Sequence, residues 1–209
     1  MTGDEERINS LYDEALRLKE LARTSVERID LYLEAAELMR QAALLSTRCA
    51  EDEGNDIDTK VQHEVFSMYY SYEEHHCLAG YYYEKRDTRA SKEHLKKACE
   101  YLRRAVARIE NLPPGIPPET KERLAGFLPN WRHFQRHMAI QDWGNDARAA
   151  WDNGRYIEAL DAYRKISGLP HFWCCVLGSS LNLTSVFIKP CAARAPAAGR
   201  ASRGRTSAA

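Results

Sequence analysis

Glu73 and His76 stand three residues apart in a run without proline, a spacing that sets a carboxylate and an imidazole one turn apart on the same helix face. Helical bundles use such a Glu-x-x-His pair to present two ligands to iron or manganese, and the chemistry needs a second pair on a facing helix. No second pair occurs: Glu93 and His94 are adjacent and point apart, while His133 and His137 have no carboxylate three residues upstream. His133 and His137 are one helical turn apart and can chelate a divalent cation, but they lack the intervening glutamate of a metalloprotease helix and a third ligand. A metal-binding bundle enzyme or sensor built on Glu73, His76, His133 and His137 is therefore the second reading. The first places these groups at packed or solvated positions. Glycine-rich phosphate loops, a nucleophile elbow and a dinucleotide fingerprint are all missing, and Gly115 and Gly126 stand isolated. The expectation is a protein without catalytic residues, cofactor or resident metal.

Basic residues form a second constellation. Lys96, Lys97, Arg103, Arg104 and Arg108 occupy adjoining strips of one helical stretch, and Arg132 and Arg136 flank Trp131 and Phe134. A nucleic-acid-binding helical module would use them as phosphate contacts. The charge distribution argues for a solvated face instead. The formal net charge is zero, yet the seven basic residues after Asp161 are accompanied by no acid, which leaves 23 basic and 30 acidic residues before them. Residues 1–161 thus carry a net −7, and no nucleic acid is expected as a partner.

The elements that must position these groups are helices. Ile8, Leu11, Ala15, Leu18 and Ala22, then Ile29, Leu33, Ala36, Met39 and Leu44, recur at three- and four-residue steps, the period of amphipathic helices. Thr24 and Ser25 divide the two and are expected to cap the second. After Glu53-Gly54-Asn55, Asp56 or Asp58 is placed to cap a long third helix over 57–86. Phe66, Tyr69, Tyr70, Tyr72, Tyr81, Tyr82 and Tyr83 wrap much of its circumference, so it needs neighbours on several sides and belongs between the first hairpin and a fourth helix over 89–111. Leu112-Pro113-Pro114-Gly115-Ile116-Pro117-Pro118 stops helix formation. Helix restarts at Pro118 or Glu119, meets Pro129, and resumes from Asn130 toward Asn153 with an interruption expected at Gly144-Asn145-Asp146; a last helix covers 156–166. The divisions are a four-helix hairpin bundle at 1–111, a proline-rich connector at 112–118, a helical segment at 119–168 and an atypical basic tail at 169–209.

Three stretches share a frame of Tyr, x, Glu, Ala and an apolar residue: Tyr12 to Leu16, Tyr32 to Ala36 and Tyr156 to Leu160. The third is preceded by Trp143, Ala147 and Trp151, then Gly154, and is followed by Tyr163 and Pro170. With Ala159, this pattern resembles the tetratricopeptide repeat, in which small residues let paired helices approach closely. The resemblance is whole only over residues 141–170, and it departs from the family with Ala147 in place of glycine and Asp146 in place of leucine. A weaker copy through Gly80, Tyr83, Ala98, Tyr101 and Ala105 needs about six extra residues between its helices to fit. The fold this implies is all-α: antiparallel helical hairpins in a right-handed superhelix or irregular bundle, with a disordered C-terminal tail. The implied role is a non-enzymatic scaffold or adaptor that holds a peptide or helix of a partner protein in a groove. The basic-asparagine clamp pattern of peptide-binding members is not reproduced at matching positions.

Cys49, Cys77 and Cys99 sit singly in apolar-periodic stretches and read as buried free thiols, while the vicinal Cys174-Cys175 and Cys191 lack metal or redox spacing. A reducing, cytoplasmic location fits, and the acidic start Met1 to Glu6 lacks the character of a signal peptide. Phe172 to Ile188 is uncharged but contains serine, threonine, asparagine and glycine, so no membrane partner is expected. Residues 190–209 have the composition of a disordered segment. The abrupt loss of acids and helical period at Ser167 suggests a substituted terminus on a protein whose repeats naturally continue, leaving Tyr163 and Ile166 without a covering helix.

Overall fold

The computed structural model describes residues 3–167, all of whose regular elements are helical. In chain order they are α1 (Gly3–Thr24), a 3-10 turn at Val26–Arg28, α2 (Leu31–Glu51), α3 (Ile57–Glu84), α4 (Thr88–Glu110), α5 (Pro118–Ala125), α6 (Leu128–Asp152) and α7 (Tyr156–Ser167). The tail at 169–209, Pro170, the uncharged window at 172–188 and the last three cysteines lie outside the described residues.

Successive long helices pack as antiparallel hairpins: α1 on α2, α2 on α3, α3 on α4, α4 on α6 and α6 on α7. Two apolar clusters result. Ile8, Ala15, Leu18, Ala35, Met39 and Ala42 fill the first with Tyr70 and Cys77 of α3. Val65, Tyr72, Leu95, Leu102, Leu124 and Trp131 belong to the second. Phe66 and Tyr69 pack against both clusters, so α3 is the central helix its aromatic circumference demands.

Helix boundaries follow local chemistry, with some differences from the sequence expectation. Asp56 caps α3, its side chain accepting from the Thr59 amide at 2.7 Å, and Asp87 caps α4 through the Ala90 amide at 3.0 Å. Neither Thr24 nor Ser25 caps α2: Thr24 donates back to the Leu21 carbonyl, and the 3-10 turn intervenes before Asp30 opens α2 without a side-chain cap bond. The turn satisfies the Arg28 amide, which donates to the Ser25 carbonyl. α6 is likewise uninterrupted at 144–146. Gly144 remains helical, and buried Asn145 donates to Ser91 Oγ at 3.2 Å, tying this stretch to α4. Pro129 falls in the first turn of α6, where its missing N–H costs nothing. The proline-rich connector packs on the core through Leu112 and buried Ile116. Cys77 is buried as expected, but Cys49 and Cys99 are only half-buried.

Candidate functional site

α1, α3 and α6 are joined by a ladder of side chains. On one level, Tyr12 meets Tyr69 with ring centroids 6.2 Å apart, and Tyr69 stacks on Trp131 at 4.8 Å and 5°. On the next, Lys19 Nζ lies 2.5 Å from Glu73 Oε2 and 3.2 Å from His76 Nδ1. His76 Nε2 in turn lies 3.2 Å from Gln141 Nε2, and the Tyr69 hydroxyl donates to Glu73 Oε1 at 3.0 Å. Both Glu73 oxygens are therefore occupied, and each rung joins one helix to the next.

The electrostatics follow from burial and pairing. Burial alone would raise the pKa of Glu73, but the charge of Lys19, reinforced by hydrogen bonds, holds the carboxyl well below its usual range. Burial would lower Lys19, and Glu73 overcomes that and pushes it up. His76 is lowered by burial and by the adjacent ammonium. His137 falls to about 4, mainly by burial and then by the charges of His76 and His133. The structure thus gathers Glu73, His76 and His137 in one neighbourhood, with His133 near His137. The cation seated on the carboxylate is Lys19, a residue of this chain. No group of three or more histidine, cysteine or acidic side chains is arranged around a metal position among the described residues. Lys19, from a helix 54 residues upstream of Glu73, carries no sequence signal that marks it as a partner.

The residues of the repeat pattern come together in the α6–α7 hairpin. Ala147 and Ala159 are fully buried where the helices approach, Trp143 is half-buried, and Trp151 packs edge-on against Tyr156 at 5.1 Å. Gly154 takes φ +72 in the turn, a left-handed conformation that glycine adopts without strain. Tyr163 is half-buried and Ile166 is buried. The residues without cover are instead Trp151, Tyr156, Ile157 and Leu160, four of the eight exposed large apolar side chains among the described residues.

The α3–α4 hairpin is built on the same plan 68 residues earlier. Arg86 holds φ +62 where α7's hairpin has Gly154. Asp87 N–H bonds the Tyr82 carbonyl at 2.9 Å, as Arg155 N–H bonds that of Ala150 at 2.8 Å. Ala79 and Ser91, both buried, stand where Ala147 and Ala159 stand, and Ser91 Oγ donates to the Ala79 carbonyl at 2.9 Å. This correspondence between the two hairpins needs no inserted residues. It runs through Ser91 and Arg86 and differs in register from the motif at Gly80 and Ala98.

Of the basic residues, Arg108 pairs with Glu64 at 2.8 Å and Arg132 with Glu110 at 2.5 Å. Arg104 lies over the Tyr101 ring and Arg103 reaches Cys99 Sγ at 3.4 Å. Trp131 is buried, and Phe134 is half-buried against the core.

No family model, no curated protein and no solved structure matches this chain. No helix among the described residues is long and apolar enough to cross a membrane.

Proposed function

We propose that this chain is a non-enzymatic interaction scaffold of tetratricopeptide-like type that takes a helix of a partner protein on the outer face of α7. The observation that carries the reading is the exposure of that face: Ile157 is 78% exposed, with Tyr156, Leu160 and Trp151 beside it. In a stack of hairpins each unit buries its apolar face against the next, so an amphipathic helix is the occupant such a face accepts. The recurrence of one turn and one pair of small residues at a spacing of 68, twice the 34-residue period of the family, supports the class. The groups that resembled a metal site support it too, since Lys19 already neutralises Glu73. The free thiols Cys49, Cys77 and Cys99 suit a reducing compartment such as the cytoplasm.

The test is quantitative affinity capture with the whole chain and with Ile157→Glu/Leu160→Glu. A discrete partner retained by the first and lost by the second, with unchanged helicity, is the expected result. A captured set that does not respond to the substitutions, or stoichiometric iron, manganese or zinc in the purified protein, overturns the reading.

A further inference from the structure

α4 and α6 leave a groove of about 940 Å³ between them. Its floor is the apolar part of the lining, Val106, Ala107, Ala139 and Cys99, of which Val106 is buried and both alanines are exposed, and Gln135 adds a side-chain amide. Its rims carry Arg103 and Arg104 from α4 and Arg132 and Arg136 from α6. Glu110 is the one acid among the lining residues, and Arg132 consumes it. Arg103, Arg104 and Arg136 close no ion pair among the described residues, although Glu100 sits one turn before Arg103. Three guanidinium groups therefore edge an apolar trough in a body whose net charge is −7.

We infer that this groove binds an acidic peptide segment of a partner protein, with its apolar side chains on the floor and its carboxylates on Arg103, Arg104 and Arg136. A guanidinium offers paired donors in the geometry of a carboxylate, and the small floor residues admit aliphatic side chains close to the helix backbones. Single-stranded nucleic acid is the poorer fit. It needs aromatic platforms for its bases, none lines the groove, and the acidic remainder of the body repels a long polyanion. This surface is separate from the α7 face, so either assignment can fail while the other stands.

The experiment is fluorescence anisotropy on the full chain with three labelled probes: a short Glu/Leu peptide, its Lys/Leu counterpart and oligothymidylate. Binding of the Glu/Leu peptide is expected to weaken about tenfold or more in Arg103→Glu/Arg136→Glu, and the Lys/Leu peptide is expected to gain affinity for that variant. Arg103→Gln/Arg136→Gln gives an intermediate loss if charge is the cause, and bound Glu/Leu peptide slows alkylation of Cys99. Because both arginines are exposed, circular dichroism and thermal midpoint should stay as in the parent. The inference is overturned if reversal leaves Glu/Leu binding unchanged, if Arg17→Glu/Arg40→Glu costs as much, or if oligothymidylate binds at least as tightly.

Discussion

The α3–α4 and α6–α7 hairpins share a turn geometry and a pair of small buried residues, yet they occupy different positions in the stack. α3 is surrounded: α2 and α4 pack along it, Tyr12 and Lys19 of α1 touch it, and Trp131 and Gln141 of α6 reach it from the other side. It can bury the Glu73 carboxylate and hold the Tyr69 hydroxyl and the His76 imidazole in the packed interior because Lys19, Tyr12 and Gln141 supply partners. α7 packs mainly on α6 and leaves Ile157 and Leu160 in solvent. One local frame thus serves two purposes, and what differs is coverage. Where the hairpin is covered its polar groups are structural, and where it is not its apolar groups become a surface.

The largest expected effect tests the covered side. Glu73→Ala strands Lys19 in a largely buried position, and a loss of about 3 kcal/mol in urea denaturation is expected. Lys19→Met/Glu73→Leu, which removes both charges, should return to within about 1 kcal/mol of the parent. A double variant as unstable as Glu73→Ala would mean that the ladder is more than a neutralised pair.

Close approach is tested next. Leucine at Ala147 or Ala159, and at Ser91, meets a fully buried helix contact, so each should cost about 1–3 kcal/mol. Hydrogen exchange should separate the hairpins: the first two variants loosen α6 and α7 with α1–α4 still protected, while Ser91→Leu loosens the central region.

Acid then discriminates between buried imidazoles and ligands poised for a metal. His75, lowered to about 4 by burial and then by His94 and Lys97, and His137, also about 4, are neutral in the fold at pH 7. Their folded-state pKa values lie below the unfolded value of about 6.5, so the unfolded chain takes up protons first as pH falls. Stability is complete above about pH 6.5 and declines toward about pH 4, on the order of 1 kcal/mol between pH 7 and 5 for these half-solvated rings. Midpoints measured across that range should flatten in His75→Gln.

The smallest effects belong to the turns. Gly154→Ala forces a side chain into φ +72 and should cost about 1 kcal/mol. Arg86→Gly relieves the same strain at φ +62 and should gain a few tenths of a kcal/mol. Opposite signs at equivalent positions would sharpen the equivalence of the two hairpins; equal signs would break it.

The helices and their order were legible because apolar spacing reports burial directly, and the central place of α3 followed from aromatics on several sides. The hairpin at α6–α7 was legible through Gly154, Ala147 and Ala159. Its twin was not, since Arg86 tolerates a left-handed turn that only glycine announces and Ser91 fills a small-residue site with a hydroxyl bonded to Ala79. A Cβ at Gly80 would come within 3.3 Å of the Tyr32 ring, so this glycine marks a close approach between α2 and α3. The fate of Glu73 and His76 was hidden for a different reason. Their partner Lys19 comes from tertiary packing, and no spacing along one helix encodes it.

Photo-crosslinking from position 157 in cells reads the outer face of α7 most directly. A photoreactive residue at Ile157 should give a discrete adduct with a different protein, and the same residue at Leu44, also exposed and apolar but on α2, should not. An absence of adducts at 157, or adducts only within this chain itself, would contradict the claim that this face holds a partner helix.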